Sequence, residues 1–150
     1  VIEYGLLSIG NQPDGVSAVR AFLTPDEFQE VFYESVQDDN AAIRRALRTF
    51  CDTRQLPLVL TVGGSHVGVR ERVPEITAEL LERPIPGLAE IMRLAGIQKA
   101  RVNALWRGMA GQRGKSLIVN LPAQDTTTAV QAVLPLLPVV LEAIRIEVPA

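Results

Sequence analysis

The sequence predicts an α/β protein of three layers, a mostly parallel sheet with helices on both faces. Two observations carry this. Strand-like and helix-like segments alternate along the chain, the pattern of a parallel sheet built from crossovers. The strongest strand signal, residues 56–62 (LPLVLTV), is apolar on both faces, as a central parallel strand has to be. Gly and Pro punctuate the segments, and no repeat or low-complexity tract divides the 150 residues, so a single domain over residues 1–150 is expected.

Ile2–Ile9 reads as the first strand, followed by a turn cluster at residues 10–15 (GNQPDG) and a short helix over 16–23. Thr24, Pro25 and Asp26 stop that helix. Phe28–Val36, rich in aromatic and β-branched residues, is the second strand. Asp38, Asp39 and Asn40 offer caps to a helix that aligns Ile43, Leu47 and Phe50 on one side. Residues 56–62 then run into Gly63 and Gly64. Pro74 opens a helix over 74–81, Pro84 and Pro86 break the chain, and Leu88, Ile91, Met92 and Ala95 mark another helix. Residues 102–106 (VNALW) read as a short strand, 111–115 (GQRGK) as a tight turn, and 116–120 (SLIVN) as a buried strand. Asp125 caps a closing helix, interrupted by Pro135 and Pro138 and apolar enough from Ala129 to Ile144 to cover the sheet or a subunit contact.

The composition narrows the function classes. With 47% hydrophobic and 21% charged residues the chain is an ordinary globule. Its net charge of −2 with scattered cations argues against a nucleic-acid partner, which needs a clustered basic face. One cysteine, Cys51, and one histidine, His66, exclude an internal disulfide and a multi-histidine metal site. No uninterrupted apolar run approaches the roughly 20 residues of a membrane span. The first residues lack the basic flank of a signal peptide. A cytoplasmic protein is expected.

In parallel sheets, ligands sit beyond the carboxyl ends of the strands, here at residues 10–15, 37–40, 63–74 and 120–124. Gly63 and Gly64 leave room for backbone amides to approach an anion, or form a plain strand exit. Asp38, Asp39 and Glu71 come from two such loops. They could hold Mg²⁺ beside phosphates, or Asp39 could cap a helix while Glu71 is a solvated charge.

Residues 63–75 (GGSHVGVRERVPE) resemble the Gly-Gly-Thr-Gly-x-x-x-Arg-Asp-x-Thr-Pro-Glu signature of the molybdopterin-binding domain family, which includes bacterial molybdopterin adenylyltransferases and the gephyrin G domain. Residues 36–39 (VQDD) resemble the family's Val-Pro-Asp-Asp turn. Residues 104–116 (ALWRGMAGQRGKS) resemble its Leu-Ser-Arg-x-x-x-Gly-x-Arg-Gly-Lys stretch, and 120–123 (NLPA) its Asn-Leu-Pro-Gly turn. The resemblance implies a three-layer α/β fold, usually a homotrimer, in molybdenum-cofactor biosynthesis. It implies a nucleotidyltransferase that transfers AMP from Mg-ATP to molybdopterin. By the same resemblance Asp38 and Glu71 are catalytic and hold Mg²⁺, while Gly63, Gly64, Ser65, His66, Arg70, Arg107, Lys115, Ser116, Asn120 and Pro122 bind ligand and its phosphates. ATP and molybdopterin are then substrates, and other proteins of the molybdenum-cofactor pathway are possible partners.

Departures fall within the same loops. Glu71 stands for Asp, His66 for Gly, Val73 for a Thr that could cap a helix, Trp106 for Ser and Ala123 for Gly, and the first loop is short and lacks an arginine. His66 reads as a solvated loop histidine or as a base, Trp106 as core packing, and Cys51 as a buried inert thiol. The alternative implied is a divergent, non-catalytic member that binds a pterin or nucleotide or serves as an assembly partner.

Overall fold

The computed structural model describes residues 1–147, of which the last is placed by its backbone alone. Six strands form one sheet: β1 (Ile2–Ile9), β2 (Phe28–Val36), β3 (Leu58–Val62), β4 (Arg83–Pro84), β5 (Ala110–Arg113) and β6 (Ser116–Leu121), in the spatial order β2-β1-β3-β6-β5-β4. The first three and β6 are parallel, whereas β5 runs antiparallel to both β6 and β4.

Pleat alternation sorts the strand side chains into two cores. On one face Leu6, Leu60, Leu117 and Val119 pack under α1 (Pro13–Phe22), α4 (Pro86–Lys99) and α5 (Thr126–Val133). On the other, Leu7, Val59 and Ile118 meet α2 (Asn40–Arg48) and α3 (Val73–Leu80) through Ile43, Leu47, Ile76 and Leu80. Burial on both sides explains why β3 and β6 are mostly apolar, and their polar residues Thr61, Ser116 and Asn120 are themselves buried. A π-helical turn, Thr49–Thr53, continues α2 and inserts Phe50 and Cys51 into this second core.

Several boundaries differ from expectation, each for a local reason. Helix α1 begins at Pro13 rather than 16, because proline supplies the first-turn φ at no hydrogen-bond cost. Gly15, expected in a turn, lets α1 press on the sheet: a Cβ there would lie 2.5 Å from Val62 Cγ1. Residues 102–106 form no strand. Arg101–Leu105 is a 3₁₀ turn, held where the Asn103 side chain donates to the Gly96 carbonyl at 2.8 Å. Residues 111–113 belong to β5, so the tight turn contracts to Gly114 and Lys115, with Gly114 at φ +55°. Residues 83 and 84, expected to break the chain, form the two-residue β4, which Pro84 confines to the edge of the sheet.

Pro135 and Pro138 lie in the first turns of a 3₁₀ segment (Leu134–Leu136) and of α6 (Leu137–Glu147), where they are tolerated without breaking the run. The stretch Thr126–Ile146 is long and apolar enough by composition to span a bilayer, with mean hydropathy 1.8. Here Ala129, Val130, Val133, Leu137 and Ile144 cover the sheet instead, as expected, while Val139 and Ile146 remain exposed.

Candidate functional site

The carboxyl ends of β1, β2, β3 and β6 bring four loops to one edge of the sheet, and the β3–α3 loop dominates it. Gly63 (φ +91°) and Gly64 (φ +69°) both occupy the left-handed region. A Cβ on Gly64 would also stand 2.6 Å from Val73 Cγ2, so conformation and space both require glycine there. The bend is fastened at each end, Gly63 N–H donating to the Leu121 carbonyl (3.2 Å) and Val73 N–H to that of Gly64 (3.0 Å).

Beyond the bend lies a cavity of about 180 Å³. Gly64, Ser65, His66, Glu71 and Pro122 line it, together with Gln12, Trp106, Ala123 and Gln124. Ser65 is buried, and its Oγ accepts the Trp106 indole N–H at 2.8 Å. Trp106 is the core residue its type suggested, 4% exposed, with Arg93 over its ring, and it is also a wall of the cavity. His66 is half-buried rather than solvated. Its Nε2 is enclosed with no partner among the described residues, a cost of about 1–3 kcal/mol for a buried polar atom unless a guest satisfies it.

Asp38 and Glu71 are linked through Arg72, the residue that follows Glu71. Asp38, in the loop after β2, accepts the Arg72 backbone N–H at 2.9 Å through Oδ1, next in the chain to Glu71. Glu71 is half-buried and holds a left-handed φ of +36°, and its Oε1 accepts the His66 N–H at 2.8 Å. Each carboxylate keeps a second oxygen without a partner among the described residues. Asp39 is the cap of α2, its carboxylate accepting from Ala42 N–H at 3.0 Å. With Val73 in place of a capping hydroxyl, α3 has no side-chain cap of its own, and Asp38 supplies the nearest acceptor at Arg72.

Arg107 reaches this edge with its guanidinium already engaged. It forms a bidentate pair with Glu75 (2.6 and 3.1 Å) and donates to the carbonyls of Glu71 (2.9 Å) and His66 (3.2 Å). The pair holds the Glu75 carboxyl below its ordinary range and raises Arg107 further. Asn120 is buried and fully used: Oδ1 accepts from Met109 N–H, and Nδ2 donates to Thr61 and Thr77 hydroxyls. Arg70 is exposed on the loop.

Lys115 and Ser116 lie at the opposite end of β6, roughly 16 Å from Leu121 at strand rise. Ser116 is buried there, donating to the Leu56 carbonyl at 2.5 Å, and Lys115 lines a different, larger hollow of about 750 Å³. Within one chain they do not join the cavity.

Sequence reasoning pointed to the loops that hold Gln12, Ala123 and Gln124, and to Ala123 as a departure there, but assigned none of them, nor Glu75, a ligand contact. Gln12 gave little signal, since it precedes Pro13 where a shorter polar side chain would ordinarily cap. Glu75 was in view as the last residue of the matched signature.

Residues 16–141 match a family profile described as "Probable molybdopterin binding domain". The molybdopterin adenylyltransferase of Helicobacter pylori is 36% identical over 118 residues, covering 77% of this chain. The chain spans 65% of that relative's length. The Escherichia coli molybdopterin adenylyltransferase is 30% identical over 132 residues, 82% of this chain and 68% of the relative. Among solved structures, the molybdopterin biosynthesis enzyme MoaB of Thermus thermophilus superposes with a TM-score of 0.89 at 38% identity, covering 96% of each chain. The Mog protein of Mycobacterium ulcerans gives 0.83 at 26% identity, covering 95% of this chain and 98% of its own.

Proposed function

The chain belongs to the molybdopterin-binding domain family, and on that premise we propose that it is an adenylyltransferase of molybdenum-cofactor biosynthesis, transferring AMP from ATP to molybdopterin. The observation that supports the reading is that Asp38 is tied to Arg72, the chain neighbour of Glu71, in the loop that follows the Gly63-Gly64 bend, each carboxylate with an oxygen to spare. In the reaction a terminal phosphate oxygen of molybdopterin attacks the α-phosphorus of ATP, the bond to the bridging oxygen breaks, and pyrophosphate leaves. Such transfers are mostly positioning and charge stabilisation.

In this reading the two carboxylates are the protein's donors to Mg²⁺, a cation that takes one or two carboxylates and completes its shell with water and phosphate oxygens. Asp38 and Glu71 would hold it, and it would supply positive charge against the reacting phosphates. The chain's own residues do the rest. Gly64 lines the cavity with backbone alone, the enclosed His66 Nε2 offers a polar contact to the guest, and Gln124 sets an amide on the wall, while the Gln12 amide nitrogen is held by the Ile9 carbonyl. A cavity of about 180 Å³ is smaller than the ~300 Å³ of typical small-molecule sites, so it takes one part of a substrate while the remainder lies over the rim. Arg70, exposed beside it, is available to phosphate oxygens. A homotrimer and a cytoplasmic setting complete the reading; Lys115 and Ser116 would contribute only by way of a neighbouring copy.

Two observations favour a second reading, a member that binds pterin or nucleotide without turnover. The Arg107 cation is matched by Glu75, and Glu71 is a methylene longer than the family's Asp, where about 1 Å of misplacement can cost on the order of 10²-fold. The test is AMP transfer with Mg-ATP and molybdopterin. Turnover by the wild type supports the enzyme. Pterin binding without turnover, with activity appearing in Glu71→Asp, establishes the second reading.

A further inference from the structure

We propose that Glu75 is a positioning residue: acting through Arg107, it fixes the turn over residues 65–71 and so sets the Glu71 carboxylate at the mouth of the cavity. The inference rests on the reading of Glu71 as a site carboxylate. Glu71 is not glycine, yet its φ is +36°, a conformation that costs a side-chain-bearing residue about 1–2 kcal/mol unless its surroundings impose it. Those surroundings centre on Arg107. Its backbone N–H donates to the Ser65 carbonyl at 2.8 Å, its Nε to that of His66, and one terminal nitrogen to that of Glu71. One planar guanidinium thus grips both ends of the turn.

A guanidinium with free rotation could not do this. Glu75 removes the freedom by taking the other terminal nitrogen at 2.6 Å and sharing the first at 3.1 Å, the fork-on-fork geometry that fixes a plane. Glu75 stands in the first turn of α3, whose Ile76 and Leu80 are buried against the sheet, so the anchor is rigid. Inside the turn, the Glu71 side chain closes the loop by accepting the His66 N–H, and Gly68 passes so near that a Cβ there would lie 3.0 Å from Glu71 Cγ. The ion pair itself is open to water, with side-chain exposures of 37% and 49%, and such pairs add little to global stability. Its consequence is geometric.

The test compares wild type with Glu75→Gln, which keeps the shape and loses the charge, and with Arg107→Lys, which keeps the charge and loses the fork. Two quantities are read: hydrogen exchange of the His66 amide, and kcat and KM for AMP transfer, with Tm as the folding control. The expected result in both variants is His66 exchange faster by roughly tenfold or more while the β3 amides are unchanged. The expected kinetic result is a fall in kcat of roughly tenfold or more with KM for ATP within about twofold. Wild-type His66 exchange in Glu75→Gln overturns the proposal, and so does fast exchange with unchanged kcat, which leaves the pair a merely structural role. If the wild type transfers no AMP, the adenylyltransferase reading fails by itself and the exchange result alone decides whether Glu75 positions the turn.

Discussion

Single residues at this edge are determined by space and backbone angle as much as by chemistry. Gly64→Ala puts a Cβ against Val73 at a positive φ, so we expect a loss of roughly 1–3 kcal/mol in urea denaturation and a weakened cavity, measured by nucleotide binding. Cys51 makes a second case. Burial pushes its thiol up to about 11, beyond the reach of the nearby Ser116 hydroxyl and Arg113 to offset. The folded protein should therefore resist iodoacetamide at pH 8 and react fully only once denatured; rapid labelling of the native form would contradict this burial. At this scale the sequence was most informative about glycines and capping acids and least about engagement. Nothing in one dimension shows that Arg107 is matched by Glu75 or that Asn120 spends its amide on two threonines, because those partners lie 32 to 59 positions away in the chain.

At the scale of elements, β1, β3 and β6 were legible because double-sided burial leaves mostly apolar runs, and β2 because it is rich in aromatic and β-branched residues. Strand β5 was not, because Ala110, Gly111, Gln112 and Arg113 carry no such signature. Gly111 is there because the Arg83 carbonyl would stand 2.7 Å from any Cβ, a constraint set by the neighbouring strand. The starts of α2 and α5 were read from their capping acids, Asp39 and Asp125, with better success. Asp39→Ala should cost about 1 kcal/mol, seen as a lowered denaturation midpoint at unchanged m-value, by releasing the Ala42 N–H at the head of α2. Asp38→Ala removes the acceptor of the Arg72 N–H in the same way, yet its larger expected effect is on the site.

Across the whole molecule, exposed ion pairs tie the elements of one face together. Arg113 grips Asp52 bidentately and joins the β5–β6 hairpin to the π-helical turn, and Arg44 pairs with Glu79 between α2 and α3. The guanidinium partners hold the Asp52, Glu75 and Glu79 carboxyls below their ordinary values. A depressed carboxyl binds its proton more weakly in the folded chain than in the unfolded one. Its contribution is complete above the unfolded values of 3.8 and 4.5 and is lost as acid protonates the folded form. The urea midpoint should therefore hold steady near neutrality and fall as the pH drops below about 5, with a smaller fall in Asp52→Asn. The same global view separates the two ends of the sheet. The carboxyl end gathers Asp38, Glu71 and the glycine bend, while Lys115 and Ser116, the last two residues of the stretch 104–116, are carried to the other end by the direction of β6. Sequence order alone gives no such distance.

The most direct measurement is the initial rate of AMP transfer from ATP to molybdopterin with Mg²⁺, in wild type and in Asp38→Ala, with Tm confirming that both are folded. The account predicts turnover by the wild type and a loss of roughly 10²-fold or more when the Asp38 carboxylate is removed. An Asp38→Ala protein that transfers AMP at the wild-type rate would contradict it.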